Sequence, residues 1–340
     1  MNKNKNISEE VNSNMHINQI RPEYLNEMAE EAYNADLLFY KKNSHLFIER
    51  KCPACSLKHE GTFFEKDGFK YSKCQGCACI FMNPGPTEEL VSDFYRTSSN
   101  YKFWAEYMYP KSRVERLRTI HKERATWVLE FLSSNLPHRE NLAILELGAG
   151  TGDTLISILN YNSLKINGYA TEPNPSMEPH LQSNGIKVID ALALETEEFF
   201  EKFDAVICFE VLEHLLEPSR ILKVVYSNLK SEKNGGGYFF ASTPNAQSIE
   251  VQLLKERSTT IDIEHISVLS PASIQALGIK NSFKIQEITT PGFFDIELLK
   301  KGDANCSITQ SNKVLSTEEM QNFIKMSGFS SHLKCILKKD

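Results

Sequence analysis

The chain has 340 residues, 41% of them hydrophobic and 24% charged. That is the balance of an ordinary globular protein with room for about two domains, and it excludes a wholly disordered chain, a collagen-like repeat and a coiled-coil rod. The net charge of −6 argues against a basic face for nucleic acid, and no apolar run approaches the ~18 residues of a spanning helix.

In chain order, residues 1–20 are polar and Asn-rich and predict a floppy tail. Their lysines have no apolar stretch behind them, so they are no secretory signal, and a cytoplasmic location is expected. Residues 21–86 combine a helix over 21–42, with Pro22 near its start, and a cysteine-bearing segment over 48–85. That segment has short alternating pieces at Gly61–Glu65 and Phe69–Lys73 and ends at the Asn83-Pro84-Gly85-Pro86 turn. Residues 87–136 are an aromatic-rich helical linker or lid, with a long helix over 111–134. Tyr101, Trp104, Tyr107 and Tyr109 either cover a substrate or form the packing seam between the cysteine-bearing segment and the sheet.

From 137 to 340 the pattern becomes strand–helix alternation. Strands are expected at Ala143–Leu147, Ile166–Thr171, Lys187–Asp190, Asp204–Phe209 and Gly236–Ser242. Helices are expected at Thr151–Asn160, Met177–Ser183 and Glu213–Leu229. A mixed tail follows: Pro271–Leu277 helical, Phe283–Thr289 strand, Thr317–Met326 helical and His332–Leu337 strand. The five short strands separated by helices imply parallel crossovers, hence an α/β fold with a doubly wound, mostly parallel sheet.

Five of the eight cysteines fall between Cys52 and Cys79. Cys52-Pro-Ala-Cys55 and Cys74-Gln-Gly-Cys77 form two CxxC knuckles with eighteen residues between them. Each knuckle turns two thiolates towards one point, and two knuckles make a closed four-sulfur site of the kind zinc fills. Such a site is structural and supplies folding energy. Cys79 is a spare thiol that competes for a place in it.

The most informative segment is Ile144-Leu-Glu-Leu-Gly-Ala-Gly-Thr-Gly-Asp153: an apolar strand, a glycine turn and a helix start. Glycine lets the backbone turn sharply and approach a ligand, and the helix start presents free N–H groups. Glu146 sits in the strand and Glu172 closes the next one, twenty residues past Gly152, where an acid grips ribose hydroxyls.

This pattern resembles the class I S-adenosylmethionine (SAM)-dependent methyltransferases over about residues 140–245, which implies their doubly wound, mostly parallel seven-stranded sheet, here behind an N-terminal helical segment and a small zinc ribbon. The resemblance implies that Glu146, Gly148, Ala149, Gly150, Thr151 and Gly152 hold the methionine end of SAM, Glu172 and Pro173 the ribose, and Asp190 and Ala191 the adenine. Glu210, closing the fourth strand, joins the cofactor set. Cys52-Pro-Ala-Cys55, Phe81-Met-Asn-Pro84 and Phe94-Tyr95 ahead of that domain resemble the sugar C-methyltransferases of deoxysugar and polysaccharide biosynthesis. In those enzymes a Glu-His pair like Glu264-His265 looks like the base. The Glu210-x-x-Glu213-His214 group is similar to one in ubiquinone-biosynthesis O-methyltransferases, where it is associated with a divalent metal; alternatively it caps a helix below the cavity. His265, Glu264 and His214 are therefore the catalytic candidates, with SAM and structural zinc as cofactors. The expected partner is a small-molecule or glycan-precursor acceptor, with no nucleic acid and no membrane span, for a monomer or homodimer. C-methylation of a nucleotide-linked keto-sugar competes with O-methylation of a hydroxyl. A non-catalytic SAM-binding fold with the ribbon as an interaction module is the reading of another class.

Overall fold

The computed structural model describes residues 19–58, 61–161, 164–292 and 318–340. The expected N-terminal tail lies largely outside these residues, as does Thr317, the first residue of the helix expected over 317–326. The chain divides into two units, the first taking in residues 19–46, 86–139 and 150–165, and the second 47–85, 140–149 and the chain from 166 onward.

The first unit is helical: α1 (Asn26–Asn43), α2 (Glu88–Thr97), α3 (Ser99–Phe103), α4 (Tyr109–Arg116), α5 (Lys122–Asn135) and α6 (Asp153–Leu159). The helix expected over 111–134 runs further, because α3, α4 and α5 are joined through π-turns at Trp104–Met108 and Leu117–His121. Pro110 stands in the first turn of α4. It has no N–H to give the preceding turn, and the wider π-turn takes up that irregularity. Buried Asp36 of α1 accepts the Ser98 hydroxyl at 2.6 Å and the Ser99 and Asn100 N–H groups at 2.7 and 3.0 Å, fixing the start of α3. The aromatic run packs inside this unit: Tyr101 on Tyr95, Tyr107 on Phe103, and Trp104 on Tyr109.

In the second unit, the cysteine segment forms β1 (Phe64–Lys66), β2 (Phe69–Lys73) and β3 (Ile80–Met82), an antiparallel meander. Seven further strands make the main sheet: β4 (Asn141–Leu147), β5 (Lys165–Thr171), β6 (Lys187–Val188), β7 (Ala205–Phe209), β8 (Gly237–Pro244), β10 (Phe283–Thr289) and β11 (His332–Lys339). Their order is β10-β11-β8-β7-β4-β5-β6. Strands β4, β7 and β8 run parallel, and β11 lies antiparallel to both β8 and β10. All seven strands stand where the apolar runs placed them. Strands β7 and β8 are buried along their whole length, as expected of strands covered on both faces. Helices α7 (Glu178–Ser183), α8 (Pro218–Asn228), α9 (Ile249–Leu254), α10 (Pro271–Lys280) and α11 (Glu318–Met326) connect them.

Three local departures matter for the site. The helix expected from Glu213 begins only at Pro218, the first residue of α8, behind a short turn at Leu212–His214. Proline is suited to the first helical position and breaks a helix further in, so residues 213–217 stay at the end of β7 as a loop. Strand β6 stops at Val188 because Asp190 caps the next turn, its Oδ1 accepting the Leu192 N–H at 2.8 Å. A strand that the sequence did not announce, β9 (Ser267–Val268), pairs with β3 and makes the meander four-stranded. Two residues are too few for any periodicity to show.

Candidate active site and metal centre

The cysteine knuckles are built alike. In the first, the Ser56 N–H donates to the Cys52 carbonyl; in the second, the Ala78 N–H donates to the Cys74 carbonyl, both at 2.9 Å. Ser56 and Ala78 each take positive φ, 63° and 56°, so both knuckles reverse the chain in the same way. The sulfurs of Cys52 and Cys77 are 3.5 Å apart and those of Cys55 and Cys74 3.4 Å. A disulfide would bring them to about 2 Å, whereas two sulfurs about 2.3 Å from one tetrahedral centre stand roughly 3.8 Å apart. All four sulfurs lie within 4.8 Å of one another, and the donor set fits Zn²⁺. A Cβ at Gly76 would meet the Leu57 side chain at 2.4 Å, so the second knuckle packs closely against the chain just after the first. Cys79 stays outside the cluster, its thiol directed at the Ile80 carbonyl.

The cofactor candidates follow from the sheet order. Glu146 with Gly148, then Glu172, Asp190 and Glu210 stand at the carboxyl ends of β4, β5, β6 and β7, four neighbouring strands. Ligands of open α/β sheets bind outside that edge. Gly148 has φ +62°, and a Cβ there would come within 2.8 Å of Val211. The Ala149 N–H donates to the Thr171 carbonyl at 3.0 Å, tying the turn to the end of β5. Gly150 also has positive φ, and a Cβ there would meet nothing within 4 Å among the described residues. The turn is thus closed against the sheet at one glycine and open at the other, a cradle that fits a cofactor. Next in the chain, Asp153 makes a forked ion pair with Arg113, at 2.8 and 3.1 Å to Oδ1, and Thr151 donates to the same carboxylate. Glu172 accepts the Asn174 N–H at 2.8 Å and is half-buried, while Pro173, Asp190 and Ala191 are exposed or nearly so.

Glu213, His214 and His265 meet with side-chain donor atoms within 4.8 Å of one another. The two imidazoles are edge-to-face with centroids 4.9 Å apart. Glu213 is fully buried and accepts the Thr243 hydroxyl at 2.9 Å. His265 Nδ1 faces the Thr260 carbonyl at 2.7 Å and Asp262 Oδ2 at 3.3 Å, so this nitrogen is the donor and Nε2 is left for chemistry. Burial alone would lower the His265 pKa, but the carboxylates of Asp262 and Glu213 outweigh it and hold the imidazole up at about 9. Burial, then the adjoining His265 charge, lower His214 to about 3. Burial and the neighbouring Glu210 raise Glu213 to about 7. The result is one proton-bearing imidazole beside one neutral imidazole.

The structure therefore joins two groups the sequence treated separately and divides one that it treated as a unit. Glu210, though near enough to act on Glu213 by its charge, is not one of the converging donors: it accepts the Ser242 hydroxyl at 2.6 Å and faces His332 Nε2 at 3.2 Å. One carboxylate with two imidazoles is a poor set for Mg²⁺, which takes oxygen ligands, and a good one for moving a proton. Glu264 is half-buried beside the group, its N–H donating to Asp262 Oδ1 at 2.8 Å. Sequence reasoning missed Asp262, Thr243 and His332. Only Asp262 left a signal: an Asp two residues before Glu264 suits an Asx-turn, and its Oδ1 also accepts the His265 N–H at 2.8 Å.

A family model described as a methyltransferase domain matches residues 115–288, just over half of the 340 residues. The chain belongs to that family and has the class I α/β methyltransferase fold, with its seven-stranded, mostly parallel sheet. It is similar to the tRNA U34 carboxymethyltransferase of Campylobacter curvus, with 26% identity over 207 residues, 57% of this chain and 63% of that one. It is similar also to the ubiquinone biosynthesis O-methyltransferase of Pseudomonas putida, with 30% identity over 141 residues, 40% of this chain and 56% of that one. The chain thus spans less than two thirds of the length of these relatives. Among solved structures it is similar to magnesium protoporphyrin IX methyltransferase from Synechocystis PCC 6803 with bound SAH, at 15% identity and TM-score 0.47, covering 75% of this chain and 100% of that one. No helix among the described residues is long and apolar enough to cross a membrane.

Proposed function

We propose that this chain is a SAM-dependent methyltransferase acting on a small-molecule acceptor, with His265 as the group that takes the acceptor's proton. The observation that carries the reading is the meeting of Glu213, His214 and His265, two of them from the loop after β7 and one from the loop before β9. SAM, when bound, supplies a methyl group on a sulfonium, open to in-line attack. Glu146 and the glycine turn hold its methionine end, Glu172 the ribose, and Asp190 and Ala191 the adenine. His265 keeps Nδ1 on the Thr260 carbonyl and presents Nε2 to the acceptor. His265 takes the acceptor's proton in its neutral form, which rising pH supplies, and the Asp262 and Glu213 carboxylates stabilise the imidazolium that results. His214, neutral beside it, excludes a second positive charge. The four cysteines hold structural zinc.

A nucleotide-linked keto-sugar is the acceptor this reading favours, since C-methylation needs a base of this kind to form the enolate. The net charge of −6 supports a small molecule over RNA. O-methylation of a hydroxyl is the second reading, favoured by the Pseudomonas relative's name. The deciding experiment incubates the protein and a keto-sugar nucleotide in deuterated water. Deuterium uptake at the carbon beside the carbonyl, lost in His265→Ala while S-adenosylhomocysteine still binds, is expected. Full turnover in His265→Ala removes it as the base.

A further inference from the structure

The cysteine ribbon grips the two loops that bring His214 and His265 together. The guanidinium of Arg50, two residues before the first knuckle, donates from Nη2 to the Leu216 carbonyl at 2.7 Å and from Nη1 to the Ile266 carbonyl at 3.4 Å. Leu216 lies two residues after His214 and Ile266 one after His265. The same guanidinium reaches the Met82 carbonyl at 3.3 Å and Ser267 Oγ at 3.3 Å, so it ties both loops to β3. From β1, the Lys66 ammonium donates to the Ser258 and Ile261 carbonyls at 2.8 and 2.5 Å. From β2, the Tyr71 hydroxyl donates to the Asp262 carbonyl at 2.9 Å. Strand β3 completes the grip by pairing Ile80 with Val268 and Phe81 with Ser267. The second knuckle is bonded in turn to the start of α10, where the Ser270 and Ser273 hydroxyls both donate to the Cys77 carbonyl.

We infer that Arg50, Lys66 and Tyr71 are positioning residues for methyl transfer, and that the ribbon is the clamp holding His265 against Glu213 and His214. A ribbon serving only its own stability would not aim three long polar side chains at backbone carbonyls of residues 216 and 258–266. Lysine cannot replace Arg50, since a single ammonium lacks the planar fork that spans two separate carbonyls. The inference deepens the proposed function and rests on its assignment of His265.

The test compares Arg50→Lys, Tyr71→Phe, Lys66→Met and Lys66→Arg with the parent full-length chain. Amide hydrogen exchange over 258–268 is expected to quicken about fivefold or more in the first three, with Lys66→Arg restoring most of the protection. S-adenosylhomocysteine affinity and bound zinc are expected to stay at parental values. Where a keto-sugar nucleotide turns over, kcat is expected to fall with KM for SAM unchanged. Unchanged exchange in both Arg50→Lys and Tyr71→Phe overturns the clamp. So does quickened exchange spread evenly over the main sheet, which reports global destabilisation instead. If no acceptor turns over, or His265→Ala remains active, the functional reading fails while the exchange result still decides the clamp.

Discussion

At the scale of single residues, the glycine turn and the imidazole pair carry the sharpest expectations. Gly148→Ala combines positive φ with a contact to Val211, and is expected to destabilise the fold by about 1–3 kcal/mol, seen as a lower thermal midpoint. Glu172→Ala should weaken S-adenosylhomocysteine binding by about 10–100-fold, the worth of a charged hydrogen bond, in a calorimetric titration; unchanged affinity takes Glu172 out of the site. The ionisation of His265 has a definite sign. Its folded pKa is raised to about 9, so the fold favours the protonated ring. That stabilisation is complete below the ordinary value of about 6.5 and is lost as the pH rises through about 9. Glu213, raised to about 7, loses its contribution in the same direction at lower pH. His214, lowered to about 3, does the opposite, losing its contribution as the pH falls below about 6.5. Thermal midpoints of the parent and His265→Gln, measured from pH 6 to 10, should converge on the alkaline side; a constant gap across that range contradicts the assigned charge. If His265 is the base proposed above, kcat is expected to rise towards an alkaline plateau as the imidazole loses its proton, and a pH-independent kcat from 6 to 10 contradicts that role.

At the scale of elements, the cysteine spacing, the glycine turn and the seven strands were legible because each rests on local chemistry: thiol pairs, glycine conformations and apolar runs. The loop at 213–217 was not, since the Leu-Glu-His stretch has good helix propensity and only Pro218 marks where α8 can start. Strand β9 is set wholly by its partner β3, a contact between residues almost two hundred positions apart, so no local pattern carries it. Glu264-His265 and Glu213-His214 read as separate candidates because about fifty positions separate them in the chain and only the fold brings them together. The ribbon itself gives an element-scale expectation. Zinc analysis should find one equivalent per chain, and a strong chelator or Cys55→Ser should lower the thermal midpoint, since closed four-cysteine sites contribute folding energy directly. Because β3 is paired with β9, hydrogen exchange at 266–268 should rise with metal loss. An unaltered midpoint after chelation contradicts a structural metal.

For the whole molecule, the two units have different duties in sequence terms. The sheet unit carries every acid at the strand ends, the cysteine cluster and the His265 group, while the helical unit carries the Arg113–Asp153 ion pair and the aromatic run. The fold class was readable because a doubly wound sheet repeats one local pattern. The acceptor was not, because acceptor recognition depends on loops whose residues have no periodicity. The most direct measurement is S-adenosylhomocysteine release from SAM by the purified full chain against keto-sugar nucleotides, plain sugars and catechols, with mass spectrometry of the product. Stoichiometric release with gain of one methyl on an acceptor, abolished by His265→Ala and weakened by Glu172→Ala, is the expected result. A protein that binds neither SAM nor S-adenosylhomocysteine contradicts the account at its root.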